Sequence, residues 1–372
     1  MKDMTRRHFL SGASAMGASA VVPGAAFAEK PGYALKPDQL RAVYVQWGHN
    51  MWGEALPEGV TTLTGGRRCN DHCKFVEAIW RQIIDHLVLR KMNLAVIDLG
   101  EFPIYPSHPE LAVKNSRTPD WIRGEVRRLK SLGIEAVPKL NFSTAHDAWL
   151  GEYGRMVSTK TYYRVCADLI RDAAEMFDNP RFMHIGYDEE KIRFQHGYQV
   201  VRENELWWHD FLWFVKTVED AGMRPWMWSD YGWSHDDFAE KCPKSVIQNN
   251  WYYDEGMEGF DLAKMKPDSR SRRVLELFLK LDKAGFDQVP CSSNWLSKRR
   301  REANAINDKC MGELVKFCRA QLRPEGVKGY LMAPWAKDYD NPDYYKTIAA
   351  AIDQLSAAMA HSIRASRCSG TA

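Results

Sequence analysis

The sequence predicts an α/β fold, a single (β/α)8 TIM barrel, on three observations. Eight short apolar runs recur along the 372 residues, at 41–47, 93–99, 134–140, 182–187, 224–230, 245–251, 286–293 and 327–335. Being apolar almost throughout, they suit strands buried on both faces. Amphipathic segments alternate with them, the order of a parallel sheet wrapped in helices. No Gly-rich phosphate loop follows a strand, so a doubly wound open sheet, the next best architecture, lacks its support.

Each helix is argued from spacing and caps. Over 74–92, Val76, Ile79, Ile83, Ile84, Leu87 and Leu89 mark one apolar face. Similar patterns run over 118–133, 158–177, 203–222, 270–285, 303–322 and 341–360. Thr118 before Pro119 is a helix start, and Gly133 and Gly222 stand where C-terminal caps belong. Eight strand–helix units result, the sixth joined by a helix-poor stretch.

Residues 1–28 are set apart from this fold. Arg6 and Arg7 precede Phe9, Leu10 and a weakly hydrophobic Gly/Ala/Ser/Val stretch, and Ala26-Phe27-Ala28 is a small-x-small cleavage site. The pattern resembles a twin-arginine export signal. The expected mature chain is therefore one domain, 29–372, in the periplasm or outside the cell. Gly and Ser interrupt the apolar stretch and Pro23 ends it, so no membrane span, and no stable insertion after signal removal, is expected.

The signal holds three of the 51 basic and one of the 48 acidic residues, leaving 48 against 47. That balance excludes a nucleic-acid footprint, and 298-KRRR-301 reads as a solvated helix start. Eight cysteines are too sparse to scaffold a chain of this length. Cys69, His72 and Cys73 lie close together, but no second cluster completes four ligands. A local disulfide or free thiols are expected there, and neither a metal nor another cofactor.

A barrel places its active site at the C-terminal ends of the strands. There the sequence gathers Trp47, His49, Asn50 and Trp52, then Asp98, Glu101 and Tyr105, then Lys139, Asn141 and His146. Tyr187, Asp188 and Glu189 follow strand four, and Trp228, Asp230 and Trp233 follow strand five. Asn250, Trp251 and Tyr252, Asn294 and Trp295, and Trp335, Lys337 and Asp338 complete the ring. Indole faces stack on sugar rings while carboxylates and amides bind hydroxyls, so a carbohydrate substrate is expected. Asp188 and Glu189, adjacent at one strand end, then have a task. Glycosidic cleavage needs a proton donor and negative charge near an oxocarbenium-like centre. Glu190 reads as an ordinary loop acid or ion-pair partner, and His184 as a buried orienting residue.

The run 184-HIGYDE-189 resembles the His-x-Gly-Gly-Asp-Glu motif of glycoside hydrolase family 20, the β-N-acetylhexosaminidases. The stretch 83–102 is similar to that family's first helix and second strand, and 133–146 to its third strand, with Thr144-Ala145-His146 as the closing turn. Trp228, Trp251 and Trp335 fall where the family has acetamide-pocket and stacking tryptophans. The resemblance implies a substrate-assisted retaining mechanism, in which the 2-acetamido oxygen attacks C1. It implies Asp188 as the stabiliser of the acetamide and Glu189 as general acid/base. His146 is either a polarising partner of the acid pair or a core residue. Substrate-binding candidates are His146, Tyr187, Trp228, Asp230, Trp251, Asn294, Trp295 and Trp335.

The sequence also departs from the family. Tyr187 replaces the motif's second Gly and is expected to crowd or reshape the floor of the site. His49 or Asn50 stands near the place of the strand-one arginine, Asn294 and Trp295 replace a strand-seven Tyr, and Lys337-Asp338 follows Trp335. No room precedes the barrel for the family's small α/β domain. Two alternatives stay open: a glycosidase of a non-acetamido sugar with Asp230, Glu101 or Asp254 as second carboxylate, and a non-catalytic carbohydrate-binding barrel.

Overall fold

The computed structural model describes residues 33–51, 69–190, 201–253, 262–295, 307–335, 339 and 343–368, with 361–368 as backbone. The export signal, Trp52, Asp254, 298–301, Lys337 and Asp338 lie outside them.

Eight parallel strands form one sheet: β1 Leu40–Gln46, β2 Leu94–Asp98, β3 Glu135–Lys139, β4 Phe182–His184, β5 Arg224–Trp228, β6 Ile247–Asn249, β7 Cys291–Ser292 and β8 Gly329–Met332. Their order is β6-β5-β4-β3-β2-β1-β8-β7. The ring closes between β6 and β7 through the parallel bridges Gln248–Gln288 and Trp251–Cys291. The expected (β/α)8 barrel is thus the fold. All eight strands start within or beside the expected runs, and β2 and β5 are buried at every position.

The helices are α1 Glu77–Leu89, α2 Pro119–Ser131, α3 Lys160–Met176, α4 Asn204–Asp220, α5 Phe238–Lys241, α6 Arg270–Lys283, α7 Cys310–Gln321 and α8 Tyr344–Cys368. In α2, Thr118 Oγ1 accepts the Trp121 N–H at 3.4 Å, and Ile122, Val126 and Leu129 form the buried stripe. Beyond its end Gly133 turns left-handed (φ 77°) and Ile134 N–H returns to the Leu129 carbonyl at 2.9 Å. Gly222 (φ 83°) does the same after α4. Between β5 and β6 the chain forms only a 3-10 turn at Asp230–Trp233 and the four-residue α5. In α1 the buried stripe is Trp80, Ile83, Ile84 and Leu87, while Val76 and Leu89 are exposed. Those two, expected on the apolar face, stand at the two ends of α1, as its N-cap and its last residue. Among the described residues no helix is long and apolar enough to cross a membrane.

Candidate active site

The site is built where β3 and β4 end. Strand β4 ends at His184, though backbone pairing runs on through Ile185 N–H to the Trp226 carbonyl (2.9 Å) and Trp228 N–H to the Gly186 carbonyl (3.0 Å). The chain then leaves the sheet as Gly186 and Tyr187 turn left-handed (φ 70° and 73°), as does Glu189 (φ 59°). Gly186 is required there: a Cβ would sit 2.1 Å from Asn141 Oδ1 and 2.8 Å from Asn141 Cα. Tyr187 and Glu189 hold a conformation that costs a side-chain-bearing residue on the order of 1–3 kcal/mol. The turn aims Asp188 and Glu189 at the site.

Asn141 ties the two strand ends together. Its Oδ1 accepts the N–H of Ser143 (3.1 Å) and of Tyr187 (3.2 Å), and its Nδ2 donates to Asp188 Oδ1 at 2.9 Å. Ser143 Oγ donates to the Asp188 carbonyl. His146, on the loop after β3, reaches both acids with one nitrogen: Nε2 lies 3.4 Å from Asp188 Oδ2 and 3.3 Å from Glu189 Oε2. It bridges the pair and is no detached core residue.

Burial alone would disfavour charge on His146 and Asp188. The carboxylates beside it reverse that for the imidazole and hold His146 up at about 10. For Asp188, burial is likewise overcome, by the His146 charge and hydrogen bond, the Lys139 charge and the Asn141 hydrogen bond, and its carboxyl stays well below the usual range. The Asp188 side chain is 12 % exposed and that of Glu189 27 %. One acid is locked as an anion and its neighbour faces outward.

Below them lies a second ion pair, Lys139 with Asp98, whose Oδ2 also accepts the Tyr44 hydroxyl at 2.7 Å. Tyr44 carries the aromatic wall. Its ring centroid is 4.7 Å from Trp335 and 6.4 Å from Trp228, and Trp228 lies 4.7 Å from His184. Trp335 Nε1 donates to the Tyr253 hydroxyl at 3.0 Å, and Tyr253 stacks on Trp251 at 4.8 Å. Burial, with the charges of Asp188 and Glu189 adding, holds the Tyr253 phenol well above its usual value and therefore neutral. Tyr253 was missed in the sequence; the run Trp251-Tyr252-Tyr253 was the available signal. His184 is neutral, since burial and the Lys139 charge depress it, and its Nδ1 accepts the Gly186 N–H at 3.0 Å.

Other candidates go elsewhere. Tyr187 does not crowd the floor: its side chain is buried against Trp207, Phe211 and Phe214 of α4, because the left-handed backbone breaks strand alternation. Asn294 turns away to the Thr347 carbonyl on α8 at 2.8 Å. Trp295 is 41 % exposed. Asp230 is buried beside the pair and accepts the Glu189 N–H at 3.1 Å. Glu101 accepts the N–H groups of His49 (2.9 Å) and Asn50 (3.0 Å), so it braces the segment after β1. Glu190, read as a loop acid or ion-pair partner, is buried and paired with Arg202.

The ligating atoms of Cys69, His72 and Cys73 diverge: Cys69 Sγ faces the Asn50 carbonyl, His72 Nδ1 faces Asp71, and Cys73 Sγ faces Ser116. Neither cysteine forms a disulfide among the described residues. Among the described residues, the group whose geometry could admit a metal ion is His146, Asp188 and Glu189, with ligand atoms within 4.8 Å of one another.

No family model matches the chain, and no curated protein matches it by sequence. Solved structures do match. A mutant β-hexosaminidase of Streptomyces plicatus in complex with product GlcNAc gives a TM-score of 0.57 at 14 % identity over 86 % of this chain and 64 % of that one. The family 20 exo-β-N-acetylglucosaminidase of Vibrio harveyi gives 0.54 at 14 %, over 87 % and 57 %. The β-N-acetylhexosaminidase of Bacteroides fragilis gives 0.55 at 12 %, over 85 % and 65 %. The chain spans less than two thirds of the length of each. What it shares with these hexosaminidases is the fold, an eight-stranded parallel barrel.

Proposed function

We propose that the protein is a glycoside hydrolase of the β-N-acetylhexosaminidase kind, cleaving β-linked N-acetylhexosamines by substrate assistance. One observation carries the reading: adjacent acids at the end of β4 share one imidazole, Asp188 being the deeper of the two and held ionised, Glu189 the more exposed. An anion beside the 2-acetamido group accepts its N–H and offsets the positive charge that develops as the acetamido oxygen attacks C1. Glu189 delivers a proton to the leaving glycosidic oxygen, drawn from the His146 imidazolium 3.3 Å from its Oε2, and the proton released by the water that opens the oxazolinium ion returns by the same path. Trp228, Trp251, Tyr253 and Trp335 form the aromatic wall for the sugar. The barrel of the hexosaminidase structures supports the reading, as does the motif at 184–189.

Hydrolysis of an aryl β-N-acetylglucosaminide tests it. Glu189→Gln and Asp188→Asn are each expected to lower kcat by about a hundredfold or more, less for Glu189→Gln where the aryl group leaves easily. Wild-type rates in either folded variant contradict the assignment.

We also propose that the chain is exported through the twin-arginine signal at its start. Replacing Arg6 and Arg7 by Lys is expected to leave the full-length precursor in the cytoplasm. Unimpaired export of that variant on cell fractionation contradicts it.

A further inference from the structure

A second buried charge cluster lies directly behind the acid pair. Arg202 is fully buried. Its Nε donates to Glu190 Oε2 at 3.2 Å, and its Nη2 donates to Glu190 Oε1 and to the Phe142 carbonyl, the latter at 2.7 Å. Its Nη1 donates to Asp210 Oδ2 at 3.2 Å, and its guanidinium carbon lies 4.5 Å from the Tyr187 ring centroid. Glu190 in turn accepts the Thr144 N–H at 2.9 Å. Asp210 is fixed on α4 and also accepts Ser158 Oγ at 2.6 Å. One guanidinium therefore touches both flanks of the 187–190 turn and the loop that leads from β3 to His146.

The direction of the side chains gives the cluster its meaning. Tyr187 and Glu190 reach back to Arg202, while Asp188 and Glu189 reach forward to His146. Two of the four residues, Tyr187 and Glu189, hold left-handed backbone. Such conformations persist only where surrounding contacts over-determine them. A Gly at 187 would adopt this backbone without cost; a Tyr needs a reason to stay.

We propose that Arg202, with Tyr187 and Glu190, is a positioning clasp for the acid pair. It holds the strained turn and the 142–144 loop in one register, and so sets His146 between Asp188 and Glu189. The catalytic consequence rests on the proposed function; the geometric one does not. A planar fork is needed, since a lysine cannot serve Glu190, Phe142 and Asp210 together. A buried ion pair is weak evidence for stability, and its better-attested use is to specify one arrangement.

The test uses the whole mature protein with Arg202→Lys and Glu190→Gln, both of which keep size and polarity. Asp287→Asn is the control, because it breaks another partly buried pair, with Arg224 at the start of β5. The His146 imidazole is titrated by NMR without substrate. In the clasp variants its titration is expected to fall by about one pH unit or more. Their kcat on the aryl β-N-acetylglucosaminide is expected to drop about tenfold or more at little-changed KM. The control is expected to lose stability and leave the titration where it was. An unmoved His146 titration in both folded clasp variants, or an equal shift in the control, overturns the proposal. If the wild type hydrolyses no N-acetylhexosaminide, the titration still decides the clasp, and the function alone falls.

Discussion

His146 is the residue on which the electrostatics of the site turns. A single Nε2 reaches both acids, and their charge holds the imidazole up at about 10 from its ordinary 6.5. A raised basic group stabilises the fold fully below its unfolded value and ceases to do so as pH rises through its folded value. The stability that His146 confers over a His146→Gln variant is therefore expected below about pH 6.5 and is lost towards about pH 10. Asp188 has the opposite sign: its depressed carboxyl contributes above the unfolded carboxylate value and is lost in acid. Urea unfolding of both proteins from pH 5 to 10 reads the His146 window, and a difference that grows with pH contradicts it. In activity, His146→Gln is expected to move the acid limb of the kcat/KM profile upward, since Asp188 loses its largest favourable partner.

At the scale of the element, β4 and its turn decide the site. The motif marked this strand end in the sequence, and Asp188, Glu189 and His146 do meet there. Two things were not legible. The alternation rule gave no warning that Tyr187 points to α4, because the rule holds only while the backbone stays extended. The pairing of Glu190 with Arg202 needs the fold to bring them together across unlike local structure. Glycine positions show the same division. Gly133→Ala, with φ 77° and no atom within 4 Å of the added Cβ, is expected to cost about 1 kcal/mol. Gly186→Ala drives a Cβ into Asn141 and is expected to cost more than about 2 kcal/mol while also cutting kcat, because Asn141 holds Asp188. Equal stability and equal kcat in the two variants, by chemical denaturation and kinetics, would show that the turn is not strained as described.

For the whole molecule, eight apolar runs alternating with seven amphipathic segments were enough to read the barrel, since one helix-poor connection between β5 and β6 does not hide the repeat. Where packing depends on single contacts, the sequence was silent. Asn294 was placed in the site by its position after strand seven, yet its amide is spent on the Thr347 carbonyl of α8. Tyr253 was passed over, yet it joins Trp251 to Trp335 across the β6 and β8 ends. The closed barrel brings the acid pair and this aromatic wall to one end, and that juxtaposition is what the proposed chemistry needs. In that proposed chemistry the substrate's acetamido oxygen does the work of a second catalytic carboxylate. The direct measurement compares wild-type hydrolysis of an aryl β-N-acetylglucosaminide with that of the matching aryl β-glucoside, which carries a hydroxyl at C2. Turnover of the first is expected to be at least about a hundredfold faster than of the second. Equal turnover of both, or turnover of the glucoside alone, would contradict it.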